Sequence, residues 1–245
     1  DANGNPFVIR GINHPHAWYA DKLQSAIPEI AKTGANTVRV VMATGGQWTR
    51  TSASQVRQII NICKANKMIA VLEVHDCTGY GEKAEAKPLS TAVDYWLSAD
   101  IKAELDGQEA YVILNIANEP FGNGVSADTY IDEHKKAVKR LRDGGYKHNI
   151  MIDAANWGQD WEGAMRDRAD EIWAADPDKN LIFSVHMYDL FNTAAKVKAY
   201  LNAFKTAGLP LVVGEFAADH GTGKDVDEAT ILSQTLVNNQ GYMGW

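Results

Sequence analysis

Apolar runs of strand length alternate with amphipathic helical stretches along the whole of this sequence. The runs predict eight buried strands, at residues 7–12, 37–41, 68–74, 112–116, 150–153, 182–186, 211–215 and 242–245. The stretches between them predict seven helices, at residues 23–33, 53–66, 91–105, 127–143, 165–174, 194–207 and 227–239. Such strict alternation predicts an α/β fold built on a parallel sheet.

The number of strands distinguishes between the two main parallel-sheet architectures. Right-handed crossovers either close such units into a barrel or lay them out as an open doubly wound sheet. Eight strands in a chain of 245 residues favour the (β/α)8 TIM barrel, formed as one catalytic domain over residues 1–245. The open dinucleotide-binding sheet needs a G-x-G-x-x-G turn after its first strand, and residues 11–14 (GINH) do not provide it.

The eighth predicted strand reaches Trp245, where the sequence stops without an eighth helix. A barrel without that helix exposes an apolar flank. We therefore expect the natural domain to continue beyond Trp245.

Charge and hydropathy argue against two classes of partner. The chain has a net charge of −7, and its basic residues are scattered apart from one helix that carries Lys135, Lys136, Lys139, Arg140 and Arg142. Helical spacing places that cluster on a solvent-facing surface, so nucleic-acid binding is not predicted. No apolar stretch approaches the roughly 18 residues of a membrane-spanning helix, so no membrane partner is expected.

Two cysteines, Cys63 and Cys77, occur in the sequence. Cys63 lies in a predicted helix and Cys77 in a loop after a strand, so either a disulfide or buried free thiols fit the pattern. Their spacing matches no zinc motif.

Two glutamates stand where predicted strands leave the core. Glu119 lies near the end of residues 113–120 (ILNIANEP), and Glu215 near the end of residues 211–216 (LVVGEF). A carboxylate at such a point either caps a helix, pairs with an arginine or takes part in chemistry. Two carboxylates at the carboxyl ends of parallel strands indicate acid/base and nucleophilic work on a glycosidic bond.

Other polar and aromatic side chains follow the same strand ends, where barrels carry their chemistry. They are His14, His16, Arg39, His75, Asp76, Asn118, Asp153, Asn156, Trp157, His186, Tyr188 and Trp245. Such a mouth suits a sugar ring, whose hydroxyl groups form hydrogen bonds and whose C–H faces stack on indole.

Six short stretches together resemble glycoside hydrolase family 5 of clan A, and in particular its bacterial endo-β-1,4-mannanases. They are residues 11–14 (GINH), 34–40 (GANTVRV), 71–76 (VLEVHD), 115–120 (NIANEP), 153–158 (DAANWG) and 184–188 (SVHMY). Residues 214–216 (GEF) match the family pattern after the seventh strand. The resemblance runs from Phe7 to Trp245 and implies a secreted, monomeric enzyme that acts on β-mannan without a cofactor.

The resemblance also implies a role for each site residue. Glu119 is the expected general acid/base and Glu215 the expected nucleophile of a retaining mechanism. Asn118 is expected to hold the sugar 2-hydroxyl, Arg39 to keep Glu215 ionised, and Tyr188 to donate a hydrogen bond to Glu215. Substrate contacts are further expected from His75, His186 and Trp245.

Several of these residues also have a purely structural interpretation. Arg39 could satisfy carbonyl groups inside the barrel, and His75 and His186 could be buried structural histidines. Trp48, Trp157 and Trp161 fit outer sugar subsites and helix–strand packing equally well. The remaining tryptophans outside the strand ends, Trp18, Trp96 and Trp173, are predicted to be packing residues.

Three rival functions share parts of this sequence pattern. His14 and His16 match the two-histidine metal motif of amidohydrolase barrels, but too few further ligands follow the other strands, so no catalytic metal is predicted. A structural Ca²⁺ near Asp225 and Asp227 stays open, although no EF-hand spacing supports it. An endo-β-1,4-glucanase would use the same machinery, and a non-catalytic glycan-binding barrel would be indicated by loss of either glutamate.

Overall fold

The computed structural model describes residues 7–221 and 223–245, and its eight parallel strands close into the predicted barrel in sequence order. The strands are β1 (Arg10–His14), β2 (Thr37–Met42), β3 (Ile69–Val74), β4 (Val112–Asn115), β5 (Asn149–Asp153), β6 (Leu181–Met187), β7 (Leu211–Phe216) and β8 (Gly241–Gly244). Strand β8 pairs with β1, where Met243 lies opposite Gly11. The expected TIM barrel is therefore confirmed.

Eight α-helices surround the barrel within the described residues. They are α1 (Leu23–Lys32), α2 (Ala53–Ala65), α3 (Leu89–Leu97), α4 (Ala99–Leu105), α5 (Ala127–Asp143), α6 (Ala164–Ala175), α7 (Ala194–Ala207) and α8 (Glu228–Asn238). The single predicted helix at 91–105 is wrong, because Ser98 interrupts it with an extended backbone (φ −62°, ψ 138°). The Ser98 hydroxyl donates to the Tyr95 carbonyl, which gives the backbone an alternative to continuing the helix.

The barrel interior changes from apolar to polar along the strands. Side chains two residues apart point to the same face of a strand, so Val71, Ile113 and Met151 form an apolar layer at the amino-terminal end. The next inward residues of the same strands are Glu73, Asn115 and Asp153, and all three are buried. This polar layer lies between the apolar layer and the carboxyl ends of the strands.

Arg142 departs from the predicted solvent-facing basic cluster because it is buried. Its guanidinium donates to both carboxylate oxygens of Asp176, at 2.9 and 3.0 Å, and to the carbonyls of Tyr146 and His148. Helical spacing could not reveal these loop partners. Lys136, by contrast, is exposed as predicted.

The other surface and core predictions have mixed outcomes. Cys63 and Cys77 are both buried free thiols, and burial raises the pKa of each to about 12. Trp96 is fully buried and Trp173 packs against the core, as predicted. None of the described helices combines the length and apolar character needed to cross a bilayer.

Candidate active site

The two glutamates predicted to be catalytic meet at the carboxyl-terminal mouth of the barrel. Glu119 follows β4, Glu215 lies in β7, and His186 lies between them in β6. One carboxyl oxygen of each glutamate and one ring nitrogen of His186 lie within 4.8 Å of one another. The fold thus brings together two carboxyl groups that are far apart in the sequence.

Glu119 is held in a strained backbone conformation. Its φ of +37° is in the left-handed region, which costs a non-glycine residue about 1–3 kcal/mol. Its N–H donates to Asp153 Oδ2 at 3.2 Å, and its carbonyl accepts from the Gly79 N–H at 3.0 Å. These contacts offset the strain and fix the direction in which the carboxyl group leaves the strand.

A β-bulge aligns His186 with Glu215. Strands β6 and β7 pair Val185 with Val213 and then His186 with Glu215, so Gly214 is the extra residue. A Cβ atom on Gly214 would lie 2.2 Å from Ser184 Oγ and 3.2 Å from His186 Nε2. The missing side chain therefore makes room for the imidazole ring beside Glu215.

His186 links three carboxyl groups. Its Nδ1 lies 2.7 Å from Glu119 Oε1 and 3.5 Å from Glu215 Oε2. Its Nε2 lies 3.3 Å from Asp153 Oδ2, near enough for charge attraction but outside hydrogen-bond geometry. Burial opposes protonation, but the charges of Glu215 and Asp153 outweigh it and raise the pKa of His186 to about 10. The ring is therefore an imidazolium.

The pKa values of Glu119 and Glu215 are shifted in opposite directions. Burial raises the pKa of Glu119, and the hydrogen bond with His186 offsets only part of that effect. Burial acts on Glu215 in the same sense, but the charges of His186 and Arg39 and the hydrogen bond from Tyr188 lower its pKa below the ordinary value. Glu119 therefore keeps its proton to a higher pH than Glu215 does.

Arg39 organises the polar layer beneath the mouth. It is fully buried, and all its hydrogen bonds go to side chains. The acceptors are Asn115 (2.9 Å), Asn13 (3.2 Å), Glu215 (2.7 Å), Asn118 (2.8 Å) and Asp153 (3.1 Å). The interpretation of Arg39 as a partner for barrel carbonyls is therefore wrong. Its guanidinium instead holds the Glu215 carboxylate in place.

Four of the predicted substrate-binding residues line one open cleft of about 410 Å³, whereas Arg39 and His186 are fully buried and are not part of its lining. Its walls include His75, Asn118, Glu119, Tyr188, Glu215 and Trp245. The Tyr188 hydroxyl donates to Glu215 Oε2 at 2.7 Å, which is the contact that the sequence predicted. Asn118 donates one amide hydrogen to Thr78 at 2.9 Å and keeps a second one for a ligand.

Comparison with known proteins identifies the family. The family model for the cellulases of glycosyl hydrolase family 5 matches residues 1–245. The chain belongs to glycosyl hydrolase family 5.

Two characterised relatives match the full chain. The chain is 52% identical to a mannan endo-1,4-beta-mannosidase of Cellvibrio japonicus over 245 residues, and it spans 56% of that protein. It is 51% identical to a mannan endo-1,4-beta-mannosidase of Streptomyces lividans, of which it spans 63%. The chain therefore spans between half and two thirds of the length of these relatives. A solved mannotriose complex of Thermomonospora fusca beta-mannanase matches 100% of this chain and 80% of its own, with 45% identity and a TM-score of 0.95.

A second cavity of about 290 Å³ continues from Glu119 in this family 5 barrel. Trp157 and Trp161, two of the predicted outer-subsite residues, line it. Glu82 Oε2 accepts hydrogen bonds from Trp157 Nε1 at 2.8 Å and from the Asn123 N–H at 2.7 Å. Sequence reasoning missed Glu82 and Asn123, because exposed loop residues carry no periodic signal.

A cluster of three aromatic rings lies beside the cleft that contains Glu119 and Glu215. The rings of Trp18 and Trp48 lie 5.5 Å apart, and the His75 ring lies 5.1 Å from Trp18 and 5.5 Å from Trp48. The prediction that Trp18 is a packing residue is wrong, because its side chain is 39% exposed next to His75. The sequence around Trp18 could not reveal this, because its partners Trp48 and His75 come from other loops.

Few metal-ligand side chains cluster together among the described residues. His14 and His16 are buried, and burial lowers the pKa of both, that of His14 to about 4. The one group of three ligand-type side chains in that part of the chain is Glu119, His186 and Glu215. Asp227, near the suggested calcium position, uses its carboxylate to cap α8 at the Thr230 N–H.

Proposed function

We propose that this protein is a retaining endo-β-1,4-mannanase, which hydrolyses internal β-1,4-mannosidic bonds in mannan, glucomannan or galactomannan. The observation that carries the proposal is that one carboxyl oxygen of Glu119 and one of Glu215 lie within 4.8 Å of each other, with the pKa of Glu119 raised and that of Glu215 lowered. Retaining glycosidases place their two carboxyl groups about 5–5.5 Å apart, so that one can act as nucleophile.

The reaction proceeds in two displacements at one carbon. In the first, Glu119 gives its proton to the glycosidic oxygen while a Glu215 oxygen attacks the anomeric carbon, and the leaving chain departs as an alcohol. In the second, ionised Glu119 removes a proton from water, which attacks the same carbon and releases Glu215. Two inversions give net retention of configuration.

The neighbouring side chains supply charge and orientation for these steps. Arg39 and Tyr188 each donate to Glu215 at 2.7 Å, which keeps it ionised before attack. Asn118 directs its free amide hydrogen to the sugar 2-hydroxyl, and Trp245 gives an indole face to the reacting ring. Trp157 and Trp48 contact sugars bound further from the cleavage point.

The substrate is assigned by similarity and by the size of the polymer. The two relatives named as mannan endo-1,4-beta-mannosidases support a β-mannan backbone. Such a polymer cannot cross a membrane, so we infer a secreted enzyme, and the family resemblance supports a monomer. The mechanism needs no cofactor, and a chelator should leave the rate unchanged.

An endo-β-1,4-glucanase is the second candidate, favoured by the cellulase family model that matches the chain. Reducing-sugar release from mannan, glucomannan and carboxymethylcellulose, measured in parallel, separates the two. Hydrolysis of both mannan substrates with little release from carboxymethylcellulose is expected. Hydrolysis of carboxymethylcellulose alone would support the glucanase, and no release from any polymer would support a non-catalytic glycan-binding barrel.

A further inference from the structure

A third carboxyl group lies beneath the cleft and has no part in the double displacement. Glu73 points into the barrel from β3 and is fully buried. Its Oε1 lies 3.1 Å from Nδ1 of His75, and its Oε2 has no hydrogen-bond partner among the described residues. A buried carboxylate is costly unless it is paired, so His75 is the group that offsets this cost.

His75 itself faces the reaction. It lines the catalytic cleft together with Asn118, Glu119 and Glu215. Because Glu73 takes Nδ1, the nitrogen left for a ligand is Nε2. An edge contact with Trp18 and a tilted contact with Trp48 restrict rotation of the ring. Glu73 and the two indole rings therefore hold the imidazole in one orientation. A residue that orients one sugar oxygen needs such a fixed ring.

We propose that Glu73 is a positioning residue that acts through His75: it keeps a proton on Nδ1, so that the ring presents Nε2–H to an oxygen of the β-mannoside in the cleft. This inference rests on the proposed function, because it names how that site holds its sugar. A ring with both nitrogens protonated donates from each of them, whereas a neutral ring donates from only one.

The charges around His75 agree with this arrangement. Burial lowers the pKa of His75, but Glu73 on the preceding strand β3, Glu215 on β7 and Glu119 after β4 together raise it above the ordinary value. Burial raises the pKa of Glu73, and His75 and Arg39 oppose that shift. The Glu73 carboxylate and the His75 ring therefore each favour the charged form of the other.

A double-mutant cycle tests whether Glu73 acts through His75. Glu73→Gln keeps the size and an acceptor oxygen but removes the charge. It should lower kcat/KM on mannohexaose by about 10- to 100-fold, the usual value of a hydrogen bond to a charged group. His75→Asn should cost at least as much, and the double variant should match His75→Asn within about twofold. Costs that multiply would overturn the proposal.

Nitrogen NMR of the histidine rings gives a readout that does not depend on turnover. In the wild-type protein at neutral pH, the His75 ring should have both nitrogens protonated, and His75→Asn identifies its signals. In Glu73→Gln the same ring should lose one proton. A singly protonated His75 in the wild-type protein, or unchanged signals in Glu73→Gln, would contradict the proposal.

Asp176→Asn is the matched control. It removes another buried carboxylate charge, that of the Arg142 partner, from a position outside the cleft. It should lower the unfolding temperature while leaving kcat/KM and the His75 signals at wild-type values. If the wild-type protein hydrolyses no β-mannan, the proposed function fails. If it does and the cycle is multiplicative, only the role of Glu73 fails.

Discussion

Glu119 and Glu215 share a cleft and a neighbour, yet the pKa of Glu119 is raised and that of Glu215 is lowered. His186 lies 2.7 Å from one and 3.5 Å from the other, so its charge favours ionisation of both. Arg39 and Tyr188 donate hydrogen bonds to Glu215, and this asymmetry supports its proposed role as the nucleophile. Burial raises the pKa of Glu119, which supports its proposed role as the acid.

Replacing either glutamate by glutamine should abolish turnover while the fold is kept. Glutamine has the size of glutamate but can neither give a proton nor form the glycosyl ester, so kcat should fall by at least about 10²–10⁴. Reducing-sugar release from mannan measures the loss, and circular dichroism checks the fold. Near-native activity in a folded Glu119→Gln or Glu215→Gln protein would exclude this mechanism.

The pH profile of kcat/KM should be bell-shaped. Activity needs ionised Glu215, so the acid limb should lie below the ordinary glutamate pKa of about 4.3, in the direction of its lowered pKa. Activity also needs protonated Glu119, so the alkaline limb should lie above that value, in the direction of its raised pKa. An aryl mannoside with a dinitrophenolate leaving group needs no acid, and for it any alkaline limb due to Glu119 should disappear. A limb that stayed unchanged would assign it to another group.

At the residue scale, the sequence located the side chains at strand ends but not those one layer below. Glu119 and Glu215 stand out because a carboxylate follows an apolar run. Glu73 sits inside such a run, where alternation alone cannot distinguish an inward from an outward residue. Trp18 was misassigned for a related reason, since its contact with His75 depends on how two loops meet.

At the element scale, the loops after β3, β4 and β5 are joined into one surface. Glu82 from the first loop accepts hydrogen bonds from Asn123 of the second and Trp157 of the third. Trp161 adds a link, because its Nε1 donates to Asn123 Oδ1 at 2.7 Å. The loops after β4 and β5 line the cavity beside Glu119, where sugars beyond the cleavage point would bind, and Glu82 of the loop after β3 holds them together.

Glu82→Ala should therefore weaken binding of long substrates more than short ones. Loss of the acceptor frees the Trp157 indole and the Asn123 loop, so KM for mannohexaose should rise several-fold while hydrolysis of a short aryl mannoside changes little. Steady-state kinetics on both substrates measures the difference. Glu85→Ala, an exposed glutamate of the same loop that pairs only with Lys83 at 3.6 Å, is the control. Equal changes in the two variants would argue against a role for the Glu82 hydrogen bonds in binding long substrates.

The helices include one case in which hydrophobic periodicity failed to predict a helix end. The apolar spacing at 91–105 continues past Ser98, so one helix was predicted. The break depends on Arg50, whose guanidinium donates to Ser98 Oγ at 3.1 Å, and on the nearby Tyr95 carbonyl. A contact with a residue so far away in sequence leaves no periodic trace.

At the scale of the whole molecule, the count and order of apolar runs were enough to predict the barrel. Each run pairs with the next, and the last pairs with the first, because right-handed crossovers allow little else. One face of α8 exposes apolar side chains to solvent. Leu232, Leu236 and Val237 of α8 are exposed, the last two by 67% each.

Substituting this patch should reduce self-association. Leu236→Glu combined with Val237→Lys removes exposed apolar area, so light scattering during heating should begin at a higher temperature. The free energy of unfolding should change by less than about 0.5 kcal/mol, as for most surface positions. Thr206→Glu with Ala207→Lys, at exposed sites of α7, makes the same charge change elsewhere. An equal benefit from that control would show that added charge, and not the patch, is responsible.

The most direct test of the two-glutamate double displacement is the stereochemistry of the first product. Proton NMR during hydrolysis of mannohexaose reports the anomer released before mutarotation mixes the two forms. Because Glu119 and Glu215 bring oxygens within 4.8 Å of each other, attack by Glu215 leaves no room for an inverting water, and the β-anomer should appear first. An α-anomer appearing first would mean inversion by a single displacement and would contradict Glu215 as the nucleophile.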